Sequence, residues 1–115
     1  MIEIFDIASA AGAKVKEPDE CEHLGDIRVA IDRLDAQIIQ SMARRMLYVR
    51  AASRFKPSES SIPAPERVAQ MLPQRRQWAE EVGLDGDFVQ SLFSQIINWY
   101  IAEQVGYWRQ QRGLA

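Results

Sequence analysis

Between residues 24 and 55 the chain reads LGDIRVAIDRLDAQIIQSMARRMLYVRAASRF, with no proline and no glycine after Gly25. Leu24, Ile27, Ile31, Leu34, Ile38, Ser41, Arg45, Tyr48 and Ala52 recur in steps of three and four, the period of one helix face. Asp26, Asp32 and Asp35 come early and the arginines cluster late, which suits the helix dipole. Pro57 disfavours α geometry at Lys56, so this first helix is expected to end near Phe55 or Lys56.

The next stretch, PSESSIPAP, has the composition of a loop. Pro65 is tolerated in the first turn of a second helix, with Glu66 near its positive end. Val68, Met71, Leu72, Arg75 and Trp78 carry its pattern. Pro73 is expected to kink it or to end and restart it, and Gly83 to stop it. A third helix fits residues 85 to about 111, with Asp85 or Asp87 as its cap. Phe88, Leu92, Phe93, Ile96, Ile97, Tyr100, Ile101 and Trp108 form its broad apolar face, and Gly113 breaks it. The pattern therefore predicts an all-α protomer of three helices, long, medium and long.

Length turns that pattern into a statement about assembly. A helix of about 30 residues is about 45 Å long, whereas a compact domain of this size has a radius of gyration near 13 Å. The rest of a 115-residue chain cannot cover such a helix. A second copy can, so an intertwined homodimer is expected. Residues 1–18, MIEIFDIASAAGAKVKEP, read as a loosely ordered extension with room for a short helix, and residues 19–115 as one helical domain. The acid-first order of Glu3, Asp6, Lys14 and Lys16 is the reverse of a secretory leader.

Composition narrows the function. A net charge of −2 and a pI near 5.4 argue against nucleic acid as a partner, and no apolar run is long enough to span a membrane. One cysteine, Cys21, excludes an intrachain disulfide and fits a reducing cytoplasm. With one histidine, His23, beside it, a protein metal site is not expected. Both residues sit in the polar run EPDECEHLG and read as surface residues near a helix start.

The informative residues are cations. Arginine supplies eleven of the fourteen, and Lys56 is the only lysine after residue 16. Arg28, Arg45 and Lys56 are read as sharing the stripe that carries Ile31, Leu34 and Ile38. A buried cation without an anion is costly. These cations therefore either pair with acids across helices or snorkel to the surface, or they hold an anionic ligand. Arg28 and Arg45 are about 25 Å apart along the axis, too far to grip one small molecule within one chain. In an antiparallel dimer, Arg28 of one protomer can approach Arg45 and Lys56 of the other, an arrangement suited to a dicarboxylate. Gln104 lies on the third helix's apolar stripe. Buried, it must hydrogen-bond either a neighbouring helix or a ligand.

The run DIRVAIDRLDAQIIQSMARRMLYVRAASRFK resembles the first helix of the all-α chorismate mutase family. IINWYIAEQ is similar to that family's third helix, which bears an active-site glutamine or glutamate. The resemblance covers about residues 25–112. RRMLYVRAASRFK, IPAPERVA and IINWYIAEQ look in particular like the isochorismate pyruvate lyase branch, which makes salicylate for siderophores. Mutases of the family show acids three residues before and one after the arginine that aligns with Arg67. Here those positions are Ala64 and Val68, which counts against a dedicated mutase and leaves the role of Arg67 open.

Carried over, the resemblance implies that Arg28 comes from the partner subunit and binds a substrate carboxylate. It implies that Arg45 binds the pyruvyl carboxylate, and that Lys56 meets a carboxylate and the breaking ether oxygen. Gln104 would face the ether-oxygen side of the pyruvyl group. The chemistry implied is a pericyclic elimination, with no cofactor, metal or protein nucleophile. Two alternatives stand beside it. One is chorismate mutase activity, converting chorismate to prephenate; the other is a helical dimer without catalysis, in which these four residues are individually dispensable.

Overall fold

The computed structural model describes residues 7–12 and 14–114, and over them the chain is all-α. It forms α1 (Ile7–Gly12), a 3-10 turn at Pro18–Glu20, and α2 (Leu24–Ala52). Two more 3-10 turns at Ser53–Phe55 and Glu59–Ser61 lead to α3 (Pro65–Glu81) and α4 (Gly86–Gln111). The three helices expected from the pattern are α2, α3 and α4. Among the described residues no helix is long and apolar enough to cross a membrane. The chain divides into two compact units, Met1–Leu47 and Tyr48–Ala115, with the division falling inside α2.

The first unit holds α1 and most of α2. Of the segment 1–18 read as an extension, residues 1–6 and 13 lie outside the described residues, and residues 7–12 form α1. Ala10 and Ala11 pack with Ala36 of α2 in one buried cluster, small side chains that let two helix backbones approach. The carbonyl of Ala11 has no successor within so short a helix. It accepts from Arg33 Nε at 3.2 Å and Gln37 Nε2 at 3.0 Å.

At the start of α2, Asp26 accepts from the backbone N–H of Glu22 at 3.0 Å and from Lys16 Nζ at 3.2 Å. Those donors favour the charged carboxylate, and Asp26 sits below the ordinary aspartate pKa, the Glu22 N–H being the largest cause. The 29 residues of α2 span about 43 Å. Along it Leu24, Ile27, Ile31, Leu34 and Ile38 are exposed, by 42 to 58 %. Among the described residues this apolar stripe is left open to solvent.

The second unit is built on α3 packed against α4, with Met71 and Ala79 of α3 and Ile97, Tyr100 and Trp108 of α4 buried. Pro73 neither ends α3 nor restarts it: the helix runs unbroken from Pro65 to Glu81. Proline removes the bond to the carbonyl four residues back, here Ala69. Both Ala69 and Pro73 are exposed residues, so the helix carries this defect on its solvent-facing side. Of the two candidate caps for α4, Asp85 is the one used, accepting from Phe88 N at 2.9 Å.

Both helices end on left-handed glycines. Gly83 (φ 81°) and Gly113 (φ 67°) each sit where the following N–H turns back to a carbonyl five residues earlier: Leu84 N to Ala79 O, and Leu114 N to Arg109 O, both 2.8 Å. That pairing requires the backbone glycine adopts without strain. Arg76 of α3 bonds Glu80 and reaches Asp87 in the first turn of α4, tying the two helices at their connection.

Candidate active site

The second unit's candidate site grows from an unsatisfied helix end. The last carbonyls of α2 have no intrahelical donors, and the dipole leaves that end partly negative. Side chains meet them one by one. Val49 O accepts from Gln104 Nε2 at 2.9 Å, Arg50 O from Ser53 Oγ at 2.5 Å, and Ala51 O from Arg54 Nε at 3.3 Å. One 3-10 turn on, Ser53 O accepts from the Lys56 N–H at 3.2 Å and from Arg112 Nη2 at 3.4 Å.

Lys56 lies beyond that turn in extended geometry, φ −92° and ψ 113°, the conformation that the following Pro57 enforces. Its carbonyl accepts from Trp108 Nε1 at 2.9 Å and Arg112 Nη2 at 3.2 Å. Its half-buried ammonium donates to Ser61 O at 3.3 Å. The turn 59–61 is held to α4 by Arg109 and Glu59, 2.6 Å apart, and is followed by Ile62, which is 2 % exposed.

Gln104 is buried, at 6 % exposure. Its stripe explains why: Ile97, Tyr100, Gln104 and Trp108 are the buried positions of one α4 face. The bond to Val49 is the inter-helix bond weighed against a ligand role. It engages one hydrogen of the carboxamide nitrogen and leaves its second hydrogen and the amide oxygen. The fold thus brings Lys56 and Gln104 to the same end of α2, one through its backbone and one through its side chain.

Arg28 and Arg45 belong to the other unit, where Arg28 is exposed and Arg45 half-buried. The single meridian expected for Arg28, Arg45 and Lys56 does not hold. Seventeen helical positions leave Arg28 about 100° from Arg45, so only Arg45 lines up with Leu34 and Ile38. Lys56 is outside the α-helix altogether. Arg67 is exposed in the first turn of α3, next to Ala64, whose φ of 43° puts a non-glycine residue in the left-handed region.

Sequence reading missed Trp108, Arg109 and Arg112 as partners of the Lys56 segment. The signal was present in the spacing, because Tyr100, Gln104, Trp108 and Arg112 continue one stripe at steps of four. Reading Trp108 as part of the helix's apolar face hid it.

An all-α chain with a long first helix, a cationic lysine just past its end and a buried glutamine facing that end belongs to a recognisable class. Residues 27–105 match the chorismate mutase type II family, and the chain is a member of it. Within that family it is 65 % identical over 101 residues to an isochorismate pyruvate lyase of Pseudomonas aeruginosa, across 88 % of this chain and all of that protein. It is also 35 % identical over 77 residues to the T-protein of Haemophilus influenzae, a match covering 66 % of this chain and 20 % of that longer protein.

Proposed function

We propose that this chain is an isochorismate pyruvate lyase, eliminating pyruvate from isochorismate to leave salicylate. One observation carries the reading: the 65 % identity to the Pseudomonas enzyme extends over that enzyme's whole length. The first turn of α3 supports the lyase over a mutase, since Ala64 and Val68 stand where the mutases of the family carry acids.

The reaction balances without an outside reagent. The ring hydrogen on the carbinol carbon passes to the enolpyruvyl methylene as the ether C–O bond breaks. The ring becomes aromatic and the side chain leaves as pyruvate. Catalysis then consists of holding the arm over the ring, an orientational gain, and of stabilising charge that develops on the ether oxygen. Lys56 is proposed to do the second, with Gln104 on the same side of the pyruvyl group. Arg45 takes the pyruvyl carboxylate, and Arg28, from a second copy, binds a substrate carboxylate.

That second copy forms a homodimer over the exposed stripe of α2. Residues 19–115 make the catalytic domain, and the enzyme acts in the cytoplasm. The test is to mix the protein separately with isochorismate and with chorismate. Salicylate fluorescence from the first, far exceeding prephenate from the second, supports the reading. Prephenate as the main product makes the protein a mutase, and neither product makes it a non-catalytic dimer.

A further inference from the structure

The last turn of α4 does something that no site residue named so far does: it grips the backbone of Lys56. Both peptide groups of that lysine are tied. Its N–H donates to Ser53 O at 3.2 Å, and Ser53 is itself 1 % exposed. Its carbonyl takes two donors, Trp108 Nε1 at 2.9 Å and Arg112 Nη2 at 3.2 Å. The guanidinium of Arg112 also lies 4.1 Å from the centre of the Trp108 ring and bonds Trp108 O and Ser53 O, so the two donors brace each other. One residue along from Trp108, Arg109 bonds Glu59, in the segment whose Ser61 carbonyl receives the Lys56 ammonium.

A lysine side chain is long and freely rotating. Where the ammonium can reach depends first on where the Cα from which it swings is fixed. Pro57 sets the direction of the chain after Lys56, and the Trp108 and Arg112 bonds set where that Cα sits. The side chain itself donates to a carbonyl of its own segment, Ser61 O at 3.3 Å, a bond that a substrate oxygen can replace.

We infer that Trp108 and Arg112 are positioning residues for the elimination, acting through the backbone carbonyl of Lys56, and that Arg109 with Glu59 holds the adjoining turn. This rests on the lyase reading and on the role of Lys56 within it. A residue misplaced by about 1 Å can cost up to about 100-fold in rate. Loss of one of two donors should cost less.

The experiment is a double-mutant cycle in steady-state salicylate formation, with helix content and melting temperature recorded for each variant. Trp108→Phe keeps the ring and removes the N–H. It is expected to lower kcat about 10-fold with KM within about twofold in the native background, and to cost nothing further in Lys56→Ala. Arg112→Ala is expected to lower kcat similarly, and Arg112→Lys, which keeps a cationic donor, to recover most of the loss. Equal losses from Trp108→Phe with and without Lys56, or equal kcat for the alanine and lysine variants at 112, overturn the inference while leaving the lyase reading intact. No salicylate from the native protein overturns both. If Trp108→Phe fails to fold, the pair at 112 decides.

Discussion

At the scale of a single residue, the proposed chemistry centres on Lys56. Its carbonyl has two donors from the C-terminal end of α4, while its ammonium donates to a backbone oxygen five residues on. The fixed end and the movable end are thus separated within one side chain. Removing a preorganised donor from a developing oxyanion costs about 10²–10³ in rate. Lys56→Ala is therefore expected to lose at least that in kcat/KM with its helix content and assembly unchanged. Near-native turnover of isochorismate by this variant counts against the mechanism. Gln104 has two duties, the bond to Val49 O and the proposed contact with substrate. Gln104→Leu leaves the Val49 carbonyl without its side-chain donor, so it is expected to cost about 1–3 kcal/mol in urea unfolding as well as activity. Gln104→Glu keeps the shape but removes the donor nitrogen, so it too is expected to lose the bond to Val49 O.

These residues were legible for different reasons. Lys56 stood out because a lone lysine precedes a proline, and Gln104 because an amide on an apolar stripe must find a partner. Arg28 was misjudged as an alignment, since a seventeen-residue interval is one short of five full turns. Spacing put Trp108 and Arg112 on the stripe of Gln104, but that they hold the Lys56 carbonyl depends on where the 3-10 turn at 53–55 directs the chain.

At the scale of elements, hydrophobic period decided the helices, and local chemistry decided their ends. Periodicity predicted α2 to residue 55 or 56. The α-helix stops at Ala52 and tightens into a 3-10 turn, because Ser53 Oγ takes the carbonyl of Arg50 and Pro57 lies ahead. Pro73 was expected to kink α3 or to end and restart it; the helix runs on unbroken through it, at an exposed position. The docking of α1 on Arg33 and Gln37 gave no sequence signal beyond the small residues of IASAAG.

The start of α2 makes a pH prediction. The folded pKa of Asp26 is depressed below 3.8, first by the Glu22 N–H and then by the Lys16 side chain. A depressed carboxylate contributes stability that is present above the unfolded pKa and is lost as pH falls through the folded one. The bonds joining Lys16, Glu22 and Asp26 should hold at neutral pH and weaken only below about pH 4. Carboxyl titration by NMR checks this, with a midpoint for Asp26 below the ordinary aspartate value expected. A midpoint above 3.8 contradicts it.

For the whole molecule, the question is what covers α2. Five aliphatic residues along its stripe are exposed, and Arg28 is among the exposed residues of the same helix. A second copy answers both facts in the proposed dimer, by burying the stripe and by lending Arg28 to a neighbour's site. Mixing inactive Arg28→Ala protomers with inactive Lys56→Ala protomers under exchange conditions is then informative. Half of the dimers become mixed, each with one intact site, so about a quarter of native activity should return. No recovery while the chains demonstrably exchange would mean that each site is built within one chain.

The central claim is that this chain moves a ring hydrogen to the departing pyruvyl group and makes salicylate. The most direct measurement uses isochorismate deuterated at the carbinol carbon of the ring, with mass analysis of both products. The account predicts salicylate together with pyruvate carrying one deuterium in its methyl group. Pyruvate whose methyl hydrogen came from solvent, or no salicylate at all, would contradict it.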